Sequence, residues 1–365
     1  MVDKTPINPT QKQELSSITD EKDKYRKLMT KRGIFLAACV ILLVIVVDVS
    51  LAMGSAGISL TEAYAAIFAK YFPDWFTVSS LADNVVWNLR LPRILLGLLA
   101  GAALAMSGST TQAILRNPLA TPYTLGVSAA AGFGAGIGLI LGKGILSGPA
   151  MLIGNAFIFS LIPVSVILLF VKRRGASPTM MILSGIAVSY FFSACTTIMQ
   201  YFAEANAVAA TVFWAVGDLS RAAWWQLPYI LGAFLVCLVI NLRLSRDLNI
   251  MKMGDDTAKS LGVEVNRVRI ITMVTACLLT ATVVSFTGAI GFICLLAPYI
   301  CRAIIGGDER YLVVASTLFG AILLLCADLL ARQLIPPLVI PVGAITAFIG
   351  APLLLYLLIR KKNFQ

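Results

Sequence analysis

Apolar residues run for about twenty positions at a time along this chain, with short polar segments between the runs. A hydrocarbon core is crossed by about 20 helical residues, so each run has the length of one membrane-spanning helix. The runs begin near Ile34, Pro92, Tyr123, Met151, Met180, Pro228, Val268, Ile290, Leu312 and Leu338. About ten transmembrane helices are therefore predicted. The weakly alternating segments of an outer-membrane barrel are not the pattern here, and the expected fold class is an all-α integral membrane protein.

The polar breaks carry the rest of the information. Residues 1–33 are polar and charged, which argues against a cleavable signal peptide and predicts a cytoplasmic, partly helical tail ahead of a membrane domain over 34–362. The segment "AILRNPLATPYTLG", residues 113–126, sets Arg116, Asn117, Pro118 and Pro122 between two apolar runs. Two prolines so placed remove backbone donors and push their predecessors out of helix, so the break is built into the sequence.

Composition agrees with a membrane protein: 59% of the 365 residues are hydrophobic and 13% charged. Charge sets the orientation. With both termini on the cytoplasmic side, only Lys70, Arg90, Arg93, Lys143, Arg221 and Arg332 among the 29 Lys and Arg fall outside, as the positive-inside rule expects. The net charge of +11 mostly records this topology, and no aromatic-interleaved basic patch supports a nucleic-acid partner. The chain has no histidine, the commonest general base and metal ligand. Cys39, Cys195, Cys237, Cys277, Cys294, Cys301 and Cys326 form no C-x-x-C pair and read as small packing residues. No catalytic or metal-ligating constellation stands out.

"GFGAGIGLILGKG" fails as a phosphate loop, because Ile137 stands where the first glycine is needed and Gly144 follows Lys143. Gly134, Gly138 and Gly142 read instead as close helix packing. Any ATP driving transport would be hydrolysed on another subunit. Asp48 and Asp328, the carboxylates in or near the ends of spans, both fall towards the outer surface, which weakens a proton-coupled carrier reading.

In the fifth span Ser189, Ser193, Thr196, Thr197 and Gln200 share one helical face. That stripe either lines a hydrated path or bonds across packed helices. The longest internal loop, 246–267, contains "GDDTAKSLG", Gly254 to Gly262. Asp255 or Asp256 could cap a short helix with an apolar side at Ala258 and Leu261, Gly262 could end it, and a second helix would start near Val265. The pair is either a docking element or a solvated connector. Outside, "SLTE" from Ser59 to Glu62 resembles a capping box before an interfacial helix. Arg90, Arg93 and Arg332 at the outer ends of spans are either lipid-headgroup anchors or contacts for an acidic partner.

Together "LRLPRILLGLLAGAALAMSGSTTQAILRNPLATPYTLGVSAAAG", "GDDTAKSLGV", "GAIGFICLLAPYICR", "GGDERY" and "DLLARQL" with "IPVGAITAFIGAPLLLYLL" resemble the FecCD family. These are ten-helix permeases of ABC importers for iron-siderophores, haem and cobalamin. The resemblance runs from about Ile34 to Lys362. It implies a transport subunit without enzymatic activity in the bacterial cytoplasmic membrane, with a ferric siderophore as the favoured cargo and haem or cobalamin as alternatives. It also implies a second permease subunit as homo- or heterodimer, two cytoplasmic ATPase subunits that carry the ATP and magnesium, an extracytoplasmic binding protein, surrounding lipid, and no cofactor on this chain.

Carried onto matching positions, Arg90, Arg93 and Arg332 would pair with glutamates of the binding protein. Gly254, Asp255, Asp256, Thr257, Ala258, Lys259, Ser260, Leu261 and Gly262 would couple to the ATPase. Asn117 and Leu119 would form one inner gate, and Ser177, Pro178 and Thr179 the other. This chain departs from the family at Tyr299 and Glu309, where relatives often carry histidine, and at Pro178 in the second gate.

Overall fold

The computed structural model describes residues 9–54, 57–148, 150–336 and 338–360. Lys361, Lys362 and the first eight residues lie outside them. The described residues are helical nearly throughout, because in hydrocarbon each backbone N–H and C=O must be satisfied within the segment.

Helix α1, Pro9–Ala52, carries the polar tail straight into the first span, and its apolar part is Tyr25–Ala52. Outside follow α2, Leu60–Ala69, and α3, Ser80–Asn84. Ser59 caps α2 by accepting from the Glu62 amide at 3.2 Å, but the Glu62 carboxylate turns away to Ser79 at 2.8 Å. Only half of the expected capping box is made.

A π-helical turn, Val85–Arg90, joins α3 to α4, Leu91–Leu115. It stands immediately ahead of Pro92, which lacks the amide that would continue the α-helical ladder. The chain then runs through α5, Val127–Leu141, α6, Ala150–Arg174, α7, Pro178–Tyr201, and α8, Ala205–Ala215. The remaining elements are α9, Leu227–Met251, α10, Asp255–Ser260, α11, Val265–Thr287, α12, Ile293–Ile305, α13, Glu309–Gln333, and α14, Val342–Arg360.

Among the described residues seven helices are long and apolar enough to cross a membrane, which establishes an all-α, multi-span membrane protein. They match the expected starts near Ile34, Pro92, Met151, Met180, Pro228, Val268 and Leu312. The runs expected at Tyr123, Ile290 and Leu338 fold as shorter apolar helices, Val127–Leu141, Ile293–Ile305 and Val342–Leu357. Prolines and glycines take up the first residues of each: Pro122 and Gly126 before α5, Gly291 before α12, Pro341 before α14.

The core is centred on α4, which packs on α11, α12 and α13. Small residues let the backbones meet. A Cβ on Gly108 would lie 1.8 Å from the Cys294 carbonyl oxygen, and one on Gly101 2.4 Å from that of Gly320. Gly134 approaches Asn155 of α6 in the same way, whereas Gly142 ends α5 with φ of 61°. Cys39, Cys237, Cys277, Cys294 and Cys301 are buried as free thiols.

Candidate functional site

On the expected outer side, two arginines converge on the end of α1 and a third lines the same cavity. The last carbonyls of a helix have no ladder partner and carry its negative dipole end. Arg90 Nη1 donates to the carbonyls of Leu51 and Ala52, and Arg332 Nη1 donates to that of Met53 at 3.1 Å. Arg93 and Arg332 also hold one carboxylate between them. Arg93 Nη2 is 2.7 Å from Asp328 Oδ1, and Arg332 Nε is 3.0 Å from Asp328 Oδ2. Asp328 is buried at 1% exposure, so this pairing is internal. Arg90, Arg93, Arg332 and Gln333 line an open cavity of about 460 Å³. Among the described residues Arg90 Nη2 and Arg332 Nη2 have no hydrogen-bond partner. Sequence reasoning noticed Asp328 but missed its role, although the i, i+4 spacing of Asp328 and Arg332 was a usable signal.

At the other end, α4 stops where the turn expected to form the first gate begins. Arg116 takes the left-handed conformation at φ 47°, and the Asn117 amide bonds back to Gln112 at 3.2 Å. Asn117 Oδ1 accepts from the Leu119 amide at 2.9 Å, which folds the turn and leaves Leu119 exposed. Ser177, Pro178 and Thr179 begin α7. Pro178 occupies the first turn, where a proline's fixed φ suits a helix.

The loop expected to couple to the ATPase folds as a helix pair, with Gly254 at φ 118° before α10 and Gly262 at φ 84° after it, and α11 begins at Val265 as expected. Two details differ from expectation. Neither Asp255 nor Asp256 caps the helix, since the capping position is Gly254 without a side-chain bond. Asp255 instead accepts a fork from Arg269, Nη2 at 2.8 Å and Nη1 at 3.1 Å, and a further bond from Arg116. Hydrogen bonds from Arg269 hold its carboxyl below the usual carboxylate range. Ala258 is fully buried among Leu248, Met251, Val263 and Val265, while Asp256, Thr257, Lys259, Ser260 and Leu261 face outward with Met253. Ala258 is thus the inner side of α10, and the outward set is its free surface.

On α7, Ser193 and Thr197 are exposed, in line with Tyr190 and Tyr201, while Ser189, Thr196 and Gln200 are half-buried. Ser189, Thr196 and Thr197 return their hydroxyl protons to carbonyls one turn back at 2.8, 2.9 and 3.0 Å. Two members of the stripe, Ser193 and Thr197, thus stay open on the surface of this chain. Glu309 is fully buried beside Lys252 Nζ at 2.6 Å and accepts from Ser109 at 3.3 Å. Here that position is half of an internal ion pair.

Residues 41–360 match the FecCD transport family. The chain belongs to that family. Among its relatives, a candidate ABC transporter permease of Methanocaldococcus jannaschii is 42% identical over 93% of this chain and 98% of the relative. The Fe(3+)-citrate import system permease YfmE of Bacillus subtilis is 38% identical over 76% and 82%. A solved inward-facing structure of a candidate metal-chelate type ABC transporter superposes with a TM-score of 0.79 at 30% identity, covering 89% of this chain and 99% of that one. Other relatives are named for hemin, cobalamin and molybdate import. This FecCD chain is therefore a non-catalytic, multi-pass permease subunit of an ABC importer, and it works within a complex of permease, ATPase and binding protein. The ion-gradient-driven carrier, the alternative that sequence reasoning kept open, gives way to that membership.

Proposed function

We propose that this permease carries an iron chelate, a ferric siderophore in the first instance, from an extracytoplasmic binding protein to the cytoplasm. Ten helices would cross the membrane, with α5, α12 and α14 as the short crossings and both termini inside. The observation that carries the reading is the exposed face of α7. Tyr190, Ser193, Thr197 and Tyr201 offer hydroxyls and aromatic rings without a single ionisable carboxylate or imidazole. Such a face suits a bulky chelate that must pass with its iron still wrapped, since its two phenols stand about 16 Å apart along the helix and cannot close on one metal together. A second permease subunit, identical or homologous, would close the path against it.

The cavity at Arg90, Arg93 and Arg332 would receive carboxylates of the binding protein, whose geometry matches the guanidinium fork. The outward surface of α10 would seat on one of two ATPase subunits, which bind the ATP and magnesium. The deciding experiment loads the purified importer in proteoliposomes with ATP and offers ferric siderophores, hemin, cobalamin and molybdate through the binding protein. ATP-dependent uptake of a ferric siderophore is the expected result. Uptake of one of the other cargoes alone overturns the iron-siderophore assignment and leaves the permease reading intact.

A further inference from the structure

Arg269, in the second turn of α11, has a side chain only 1% exposed and is among the largest side chains fully buried in the protein. Its guanidinium is divided among three separate segments. It forks onto the Asp255 carboxylate at the start of α10. Nε donates to the Ile114 carbonyl at 3.2 Å, in the last turn of α4 just ahead of Asn117 and Leu119. Nη1 donates to the carbonyl of Ala176, the residue before Ser177. Both carbonyls lie where no helical ladder can satisfy them, one at a helix C-terminus and one before a helix begins. Only a planar group with five fixed donors can serve a carboxylate and two carbonyls at once; an ammonium on a flexible stem cannot hold that pattern.

We propose that Arg269 is the positioning residue that fastens α10 to both cytoplasmic gate turns, so that displacement of α10 reaches residues 114–119 and 176–179 together. The proposal rests on the reading of α10 as the ATPase-facing helix and of the turns at Asn117–Leu119 and Ser177–Thr179 as its gates, and specifies what that helix moves. Arg116, which also donates to Asp255, adds a direct second strand to the first gate. The second gate has its polar link to α10 through Arg269. The buried charge keeps the junction intact, because withdrawing Asp255 would leave an uncompensated guanidinium inside the protein. The lowered carboxyl of Asp255 is in keeping with that tight pairing.

The test uses the complete importer in nanodiscs with one introduced cysteine, Leu119→Cys or Ser177→Cys, read against the labelling of the native thiols. Maleimide labelling is measured with and without a non-hydrolysable ATP analogue, and ATP consumed per cargo molecule is measured in proteoliposomes. In the otherwise unaltered importer both positions should change labelling rate with nucleotide. With Arg269→Lys or Asp255→Asn the ATPase should still co-purify and hydrolyse ATP, the nucleotide response should be lost at both turns, and ATP consumed per cargo should rise several-fold. Retention of the response at either turn overturns the proposal, as does lowered thermal stability with an unchanged ATP-to-cargo ratio. Should either single variant fail to fold, Arg269→Gln combined with Asp255→Asn, which removes the fork without leaving a buried charge unpaired, decides instead. An unaltered importer without any nucleotide response would sink the reading of α10 itself, whereas responsive variants in a responsive importer would sink only the role of Arg269.

Discussion

Arg93 and Asp328 stand 2.7 Å apart and join α4 to α13 across 235 positions of sequence, with Arg332 on the other oxygen of the same carboxylate. A buried carboxylate between two guanidiniums is held by both, so losing it leaves like charges facing one another at low dielectric. Asp328→Asn should destabilise the permease by about 3–5 kcal/mol, the usual cost of removing one partner of a buried pair. Thermal unfolding in detergent reads this, and Arg93→Ala combined with Asp328→Ala should cost less than the sum of the single changes. Additive costs would mean that the pair is not coupled.

The same arrangement sharpens a test of docking. Charge reversal at Arg93 would set a second carboxylate against Asp328 and confound folding with binding. Arg332→Lys keeps the positive charge beside Asp328 and removes the planar fork together with its bond to the Met53 carbonyl. Binding-protein affinity should therefore fall in the lysine variant while thermal stability stays near the starting value, and the affinity of both proteins should weaken with added salt. Equal affinity for arginine and lysine versions would make these residues membrane anchors.

Ala258 and Leu261 separate the inner from the outer side of α10. Ala258→Glu should lower stability, because a charged side chain would be forced among Leu248, Met251 and Val263. Leu261→Asp, at a residue 59% exposed, should leave stability unchanged and release the ATPase. Co-purification yield against unfolding temperature distinguishes the two. Normal ATPase retention with Leu261→Asp would remove α10 from the contact.

Acid should act on Asp255 in a defined direction. Its carboxyl is lowered in the fold from an ordinary value of 3.8, so its contribution to stability is fully present above that value and fades as pH falls through the lower folded value. The stability gap between the unaltered protein and Asp255→Asn should be constant from neutral pH to about pH 4 and close below it. A gap that already closes near pH 6 would assign the effect to another group.

Orientation is open to direct labelling. Cysteines placed at Asp256 and Lys172 should be shielded from an impermeant thiol reagent in sealed cells, and those at Asp83 and Ala223 should react. Ready reaction at position 256 would invert the assigned topology.

Hydropathy runs and the Lys and Arg distribution fix in one dimension how many residues can lie in hydrocarbon and which ends stay in water, so the all-α membrane class and most of the span starts were legible in the sequence. The breaks at Pro118, Pro122, Gly254 and Gly262 were legible for a local reason: they dictate backbone conformation whatever surrounds them. Burial and partnership are set by segments distant in sequence, and these only the tertiary structure decided. Ala258 faces inward because α9 and α11 close over it. Asp255 leaves the capping role because Arg269 comes within reach, and Arg269 itself, one cation among many in a basic loop, becomes a junction only when α4, α7 and α10 meet around it. Arg90, Arg93 and Arg332 stand at helix ends, but that two of them share Asp328 depends on α4 and α13 packing side by side, which the close approach of Gly101 and Gly320 permits and no periodicity reveals.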